Sequence, residues 1–150
     1  MTVREALLKD FEQVYEIEKS CFLEPYTKDQ LMYEFKDNPL SKILVAYDND
    51  KIVGFIDYMI TFNSATISQI AVLPEYRKNG VGSKLLSEME NTFPKNIDDV
   101  VETITLEVRE SNENAISFYR KNGYENVVIK KQYYKNGENA VYMIKRLLCQ

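Results

Sequence analysis

The segment that decides the fold runs from Ile67 to Gly82 and reads ISQIAVLPEYRKNGVG. Its first six residues have the apolar, β-branched character of a strand, and the turn that follows contains basic residues and glycine. A helical pattern begins directly after Gly82. Two glycines, Gly80 and Gly82, allow main-chain N–H groups of this turn to approach an anion, and the helix adds the positive end of its dipole. The segment therefore predicts a site for a pyrophosphate-like anion.

Two common phosphate-binding loops do not fit this turn. A Walker A loop ends in Gly-Lys-Ser or Gly-Lys-Thr, but the order here is Gly82-Ser83-Lys84. A dinucleotide fingerprint needs a third glycine, and Leu85 occupies that position. The pattern that remains is Arg-x-x-Gly-x-Gly between a strand and a helix. On these six residues alone, an ordinary strand-to-helix connection explains the glycines equally well.

Composition limits the classes of function open to the chain. Its 150 residues suit one domain, 1–150, and its net charge of −4 argues against a nucleic-acid partner. The sequence has no histidine, which excludes a Ser-His-Asp or Cys-His nucleophile and a histidine metal site, and we predict no metal. Without an apolar segment of signal-peptide or membrane-helix length, we expect a cytoplasmic protein that binds no membrane. The two cysteines, Cys21 and Cys149, are expected to be free thiols.

The pattern of apolar residues predicts seven strands and four helices. Strands and helices alternate only in the second half of the chain, which favours an α/β (α+β) fold with a mixed central sheet of about seven strands and helices on both faces. The pair Asn136-Gly137 predicts a two-residue hairpin between the last two strands. The predicted strands are 3–7, 43–47, 52–60, 65–72, 103–108, 124–134 and 140–147. The helices are predicted to begin at Asp10, at the capping box of Thr27, after Gly82 and at Ser111 or Asn112, with stops before Pro39 and at Asn122-Gly123.

Two residues in the second half are candidates for acid–base chemistry. Glu107 lies in an apolar strand between Leu106 and Val108, so we expect a partly desolvated carboxylate that suits a general base. Tyr119 lies on the following helix, and its amphipathic side chain could present the hydroxyl to a cleft. From the residues alone, a solvated glutamate and a core tyrosine remain the simpler interpretation.

The segment IAVLPEYRKNGVG, from Ile70 to Gly82, resembles the cofactor-binding segment of the GNAT (Gcn5-related) N-acetyltransferases almost residue for residue. The resemblance implies a single-domain GNAT-like fold and acetyl-CoA as the cofactor. In such a fold the strand is splayed open, main-chain groups of Ile70 and Val72 bind the pantetheine arm, and the Val72 N–H polarises the thioester carbonyl. The turn would receive the pyrophosphate. The implied cofactor-binding residues of this region are Ile70, Ala71, Val72, Arg77, Lys78, Asn79, Gly80, Val81, Gly82 and Ser83, with the charges of Arg77 and Lys78 assisting.

A second segment, Thr105–Tyr124, resembles the matching part of the ribosomal-protein-alanine N-acetyltransferases, a bacterial branch of the GNAT family. The likeness rests on Leu-Glu-Val-Arg, on Ser-Asn-x-x-Ala-Ile and the tyrosine after it, and on Asn-Gly-Tyr. It implies that Glu107 is the general base and that Tyr119 is the general acid and a neighbour of the cofactor. It also implies that Asn112 bonds to the pantetheine.

This branch implies direct transfer of an acetyl group from acetyl-CoA to a primary amine, with the N-terminal α-amine of a ribosomal protein as the leading acceptor. Two alternatives stay open: transfer to a small amine such as a polyamine or an aminoglycoside, and a CoA-binding sensor or interaction protein without turnover. Two departures from the branch's pattern, Tyr26-Thr27 and Asn139, lie where the family admits its acceptor. We expect a monomer or a weak homodimer.

Overall fold

The computed structural model describes residues 1–147, so that Cys149 lies outside the described residues. The chain divides into two compact units: residues 1–59 with 67–93, and residues 60–66 with the chain from Pro94 onward. The strands are β1 (Thr2–Glu5), β2 (Ser41–Asp48), β3 (Lys51–Thr61), β4 (Ser64–Val72), β5 (Thr103–Arg109), β6 (Glu125–Lys130) and β7 (Ala140–Arg146). The helices are α1 (Phe11–Cys21), α2 (Lys28–Met32), α3 (Val81–Asn91) and α4 (Glu113–Lys121), and a π-helical turn, Tyr33–Asp37, follows α2.

The strands form a seven-stranded sheet in the order β1-β2-β3-β4-β5-β7-β6. Pairing is antiparallel between β1 and β2, β2 and β3, β5 and β7, and β6 and β7, whereas β4 and β5 are parallel. Parallel neighbours need a long crossover connection, and α3 lies in the connection from β4 to β5. The predicted α/β class and mixed seven-stranded sheet are therefore confirmed.

The core of the first unit forms around one face of α1. Phe11, Val14 and Ile17 recur at helical spacing and are buried, which is the pattern of a helix that packs one side against a sheet. Side chains from α2, β2, β3 and β4 complete the cluster: Leu31, Ile43, Val45, Ile52, Phe55 and Ala71. Removal of these side chains from water supplies the main stabilisation of this unit.

The two N-terminal helices begin in different ways. The Gln30 N–H donates to Thr27 Oγ1 at 3.1 Å and the Thr27 N–H donates to Gln30 Oε1 at 2.8 Å, so the predicted capping box is confirmed. Asp10 stands at the N-cap position of α1 as predicted, but its carboxylate does not cap that helix. It accepts hydrogen bonds from Arg4 and from the Leu7 N–H, both at 2.7 Å, because it closes the 3₁₀ turn that precedes the helix.

The hairpin of the second unit is longer than predicted. β6 ends at Lys130 rather than at Tyr134, and β7 begins at Ala140, so a two-residue connection is wrong. A tight turn does form at the predicted place: Gly137 has φ +86°, and its N–H donates to the Tyr134 carbonyl at 2.8 Å. This turn is only the tip of a longer loop. The Gln132 N–H donates to a side chain, Asn139 Oδ1 at 2.9 Å, whereas in a β-ladder it would donate to a main-chain carbonyl.

A buried carboxyl group lies on β3 in the first unit. Asp57 is 1% exposed, and the Ser41 hydroxyl donates to its Oδ1 at 2.8 Å. Burial, together with the neighbouring Glu34 carboxyl, raises the pKa of Asp57 to about 8. Asp57 is therefore mostly protonated at neutral pH.

Within residues 1–147, no group of three or more histidine, cysteine, aspartate or glutamate side chains could hold a metal ion. No helix in the same part of the chain combines the length and the apolar character needed to cross a membrane.

Candidate active site

Strand alternation indicates that the main-chain groups of Ile70 and Val72 point away from β3. The Leu73 N–H donates to the Val53 carbonyl on β3 at 2.8 Å, so Leu73 faces that strand. Successive residues of a strand direct their main-chain groups to opposite sides, so Ala71 and Leu73 share one side, and Ile70 and Val72 share the other. The two residues predicted to bind the pantetheine arm therefore share one edge of this strand.

Gly54 on β3 permits the close approach of β4. A Cβ atom added to Gly54 would lie 2.9 Å from the Ala71 carbonyl oxygen and 3.3 Å from Val72 Cγ2. The first distance is shorter than a carbon–oxygen contact allows, and the obstacle is main chain rather than a flexible side chain. The position of β4 thus requires glycine at residue 54, which the sequence analysis missed because one glycine in a strand has several explanations.

The turn after β4 is fastened to the end of that strand by Arg77. Its Nε donates to the Val72 carbonyl oxygen at 2.8 Å, and its Nη2 lies 3.6 Å from Cys21 Sγ at the end of α1. The guanidinium is thus engaged with the strand end, and the assistance of its charge at the pyrophosphate stays a prediction. Its first structural role is to fix the main chain of Val72.

The start of α3 presents a row of main-chain N–H groups. Lys78 and Gly80 both have positive φ, 65° and 80°, and these left-handed residues turn the chain so that the helix begins at Val81. Lys84 donates to the Gly80 carbonyl at 2.9 Å and makes the first full helical bond. The N–H groups from Val81 to Ser83 precede that bond and have no carbonyl one turn back. Amides in this position, at the positive end of a helix, suit a bound diphosphate.

Glu107 lies on β5 in the second unit and is paired with a lysine. Its side chain is 21% exposed, and its Oε2 lies 2.6 Å from Lys130 Nζ on β6. The expected partial desolvation is thus present, but the sequence analysis missed the cation. Lys130 stands two residues after Val128, which is opposite Tyr142, and Tyr142 is opposite Glu107. Because side chains alternate along a strand, these four lie on one face of the sheet. The proximity of Lys130 to Glu107 could be predicted only if the register of the strands were already known.

Tyr119 lies on α4 and is 8% exposed. Its ring makes edge contacts with Phe118 and Tyr124 at centroid distances of 5.3 and 5.7 Å. Burial raises the pKa of Tyr119 above its ordinary value, and the nearby Tyr134 raises it further. The phenol therefore keeps its proton throughout the physiological pH range, as a general acid must before it acts.

Asn112 begins α4. Its Oδ1 accepts the Ala115 N–H at 3.1 Å, so of the two predicted caps it is Asn112, and not Ser111, that fills this position. The cap uses the carbonyl end of the amide. The Nδ2 group is the part of the side chain that suits a bond to a pantetheine carbonyl.

A clamp fixes the hairpin loop against the end of β5. The Arg109 guanidinium lies 4.0 Å from the centroid of the Tyr134 ring, and it forms an ion pair with Glu138 at 3.1 Å. The Ser111 hydroxyl also bonds to Glu138, and this bond and Arg109 hold the pKa of that carboxyl below its usual range. Burial raises the pKa of Tyr134 to about 12. The clamp thereby fixes a second protonated phenol near Tyr119.

The sequence matches one known protein family over most of its length. A model described as the acetyltransferase (GNAT) family matches residues 11–124. The chain belongs to this family. The expected GNAT family, enzyme class and acetyl-CoA donor are thereby confirmed.

Individual GNAT relatives agree with this placement. The chain is 36% identical over 138 residues to the [ribosomal protein bS18]-alanine N-acetyltransferase of Haemophilus influenzae, covering 89% of this chain and 90% of the relative. It is 31% identical over 158 aligned positions to an N-alpha-acetyltransferase of Saccharolobus solfataricus, covering 97% and 93%. The crystal structure of the ribosomal-protein-S18-alanine N-acetyltransferase from Escherichia coli superposes with a TM-score of 0.83 at 26% identity, covering 99% of this chain and 95% of the other.

Proposed function

We propose that the protein transfers the acetyl group of acetyl-CoA directly to the N-terminal α-amine of a protein, with a ribosomal protein as the first acceptor to test. The observation that carries the acceptor is the 36% identity, over 89% of the chain, with the bS18-alanine N-acetyltransferase of Haemophilus influenzae. Glu107 is the general base and Tyr119 is the general acid. Both lie in the second unit, on β5 and on the helix that follows it.

The first unit holds the donor. The N–H groups from Lys78 to Ser83 receive the pyrophosphate, whereas that of Arg77, which the sequence also predicted for this role, already donates to the Pro74 carbonyl at 3.2 Å. Ile70 and Val72 bond to the pantetheine arm through the main-chain edge that faces away from β3. Acetyl-CoA supplies an acetyl thioester. The Val72 N–H donates a hydrogen bond to the thioester carbonyl oxygen, which withdraws electrons from the carbon to be attacked. Arg77 holds the carbonyl of the same residue and so supports the main chain next to this N–H.

The second unit moves the protons. A bond forms between the amine nitrogen and the acetyl carbon, and the carbon–sulfur bond breaks with its electron pair on sulfur. Glu107 takes the proton that the amine nitrogen loses, directly or through water. Tyr119 donates its proton to the sulfur, and a raised pKa ensures that this proton is present at the start. Asn112 bonds to the pantetheine through its amide nitrogen.

An N-terminal α-amine is the better acceptor for a glutamate base. An α-amine titrates near pH ~7.8 and a lysine side chain near ~10.4, so the free-energy cost of deprotonating lysine at pH 7 is roughly 3.5 kcal/mol larger. This physical argument supports the acceptor named by the relatives.

A panel assay of thiol release tests the proposal. The acceptors are a lysine-free peptide with an Ala-Arg N-terminus, the same peptide with a blocked N-terminus, a blocked peptide that contains lysine, spermidine, and buffer alone. We expect turnover with the free peptide only, and mass spectrometry should find one acetyl group on its α-amine.

The other outcomes select the alternatives. Turnover with spermidine but not with the free peptide would replace the protein acceptor by a small amine. Binding of acetyl-CoA in calorimetry with no turnover in any arm would make the protein a CoA-binding sensor. Turnover with the blocked, lysine-containing peptide would assign lysine acetylation.

A further inference from the structure

We propose that Lys130 is a positioning residue for Glu107: it holds one carboxylate oxygen, Oε2, and so leaves Oε1 to accept the proton of the amine. The inference rests on the proposed role of Glu107 as general base. It adds a residue of β6 to a site otherwise built from β5 and α4.

The geometry of three strands brings the two side chains together. Tyr142 on β7 is opposite Glu107 on β5 and opposite Val128 on β6, and Lys130 lies two residues further along β6. All four side chains therefore lie on one face of the sheet. The Lys130 ammonium lies 4.8 Å from the centroid of the Tyr142 ring and 2.6 Å from Glu107 Oε2. The lysine thus reaches across β7 to a carboxylate on the strand beyond.

The aromatic surroundings restrict the lysine to this position. Its ammonium lies 4.8 Å from the Tyr142 ring centroid and 5.5 Å from that of Tyr133, and both rings favour a cation near them. A lysine side chain has several rotatable bonds, so these contacts limit where its charge can lie. A carboxylate bonded to a fixed cation is itself restricted in its rotamers.

Stability does not account for the pair. Lys130 is 41% exposed, and an ion pair with so much solvent contact adds little to the free energy of folding. The hydrogen bond to Glu107 raises the pKa of Lys130, so the lysine remains a cation at any working pH and is not itself a proton carrier. What the pair does change is the set of orientations open to Glu107, on which the rate of proton transfer depends.

Four variants test the inference: Lys130→Met, Lys130→Arg, Lys131→Met and Glu107→Gln. We expect Lys130→Met to lower kcat about tenfold with an unchanged KM for acetyl-CoA, because the carboxylate is misoriented rather than removed. Lys130→Arg should restore kcat to within about threefold of wild type. Lys131→Met removes the same charge from the next residue and should leave kcat within about twofold.

The double variant Glu107→Gln with Lys130→Met isolates the coupling. If Lys130 acts only through Glu107, the double variant should be no slower than Glu107→Gln alone. A further loss of about tenfold in the double variant would overturn the inference, as would a wild-type kcat for Lys130→Met or failure of arginine to restore it. Melting temperatures of all variants should agree within a few degrees, and a kcat loss that follows the melting temperature would also overturn it. A wild-type kcat for Glu107→Gln would overturn the proposed function itself, which distinguishes the two failures.

Discussion

The turn at Arg77–Ser83 and the proposed acid–base region, formed by Glu107 and Tyr119, present different kinds of chemical group. The turn offers main-chain amides at the start of a helix, so its function depends on backbone shape and on empty space. The acid–base region offers a carboxylate and a buried phenol, so its function depends on single atoms of two side chains. Added bulk or charge should therefore impair acetyl-CoA binding by the turn. Exchange of one functional group, with the shape of the side chain kept, should impair catalysis by the acid–base region.

The largest effect is expected from Glu107→Gln. The amide keeps the size of the side chain but cannot accept the proton of the amine, so kcat should fall by roughly 10²-fold or more. The affinity for acetyl-CoA should change little, because Glu107 is not among the residues proposed to bind the donor. Steady-state kinetics and calorimetry measure the two quantities. Glu113→Gln, at an exposed site on α4, is the control, and equal rates for the two variants would remove the role of Glu107.

Tyr119→Phe removes the hydroxyl of the proposed general acid and keeps the aromatic ring. Phenylalanine keeps the ring contacts with Phe118 and Tyr124 but has no proton to donate, so we expect kcat to fall by roughly 10²-fold. Since burial raises the pKa of Tyr119 above its usual value, the phenol stays protonated to higher pH, and wild-type kcat should not decline from this cause below pH ~10. A pH–rate profile measures this. A decline near pH 8 that Tyr119→Phe abolishes would contradict the prediction.

Gly82→Glu tests the turn by adding charge. The new carboxylate would stand in the first turn of α3, among the amides expected to bind the pyrophosphate. We expect the Kd for acetyl-CoA to rise by about tenfold or more, because two like charges compete for one positive helix end. Ser87→Glu adds the same charge at an exposed site further along α3 and should leave the affinity unchanged. Equal Kd values for both variants, by calorimetry, would show that the turn does not hold the anion.

Gly54→Ala adds one methyl group and tests the packing of β4, the strand that leads into the turn. Its Cβ would meet the Ala71 carbonyl oxygen at 2.9 Å, so β4 must shift, at a cost of about 1–3 kcal/mol in unfolding free energy. The shift should also weaken acetyl-CoA binding a few-fold through Ile70 and Val72. Gly137→Ala is the control: its φ of +86° makes alanine costly, but the added Cβ has no neighbour within 4 Å. Only Gly54→Ala should change the affinity, and urea unfolding with calorimetry separates the two effects.

The same contrast explains what the sequence could predict. The turn is one continuous segment, and its glycines have a local cause: Gly80 is left-handed and precedes the first residue of α3. Glycine spacing and strand character therefore sufficed to predict the strand, the turn and the start of α3 from residues 67–82, and the anion site in this turn stays a prediction. The seven strands followed from local pattern for the same reason, with ends displaced by a few residues.

The contacts around the acid–base region could not be predicted from local sequence. Lys130 reaches Glu107 across β7, and the pair becomes visible only when the register of β5, β7 and β6 is known. The hairpin loop was mistaken for a short turn because Asn136-Gly137 is a strong local signal, whereas the bonds that hold the loop come from Arg109 and Ser111 on the other side of β7. Contacts between distant segments determine both features, and a single sequence does not encode them locally.

Two carboxyl groups on inner strands lead to the smallest predicted effect. Glu107 has a lysine against it, whereas Asp57 has another carboxyl, that of Glu34, and its pKa is raised from 3.8 to about 8. Between these two pH values the folded protein holds a proton that the unfolded chain releases, so the unfolding free energy should fall as the pH rises from about 4 to about 8. Asp57→Asn, which mimics the protonated acid, should flatten this slope without changing kcat. Urea unfolding at several pH values measures it, and an unchanged slope in the variant would mean that another group causes the dependence.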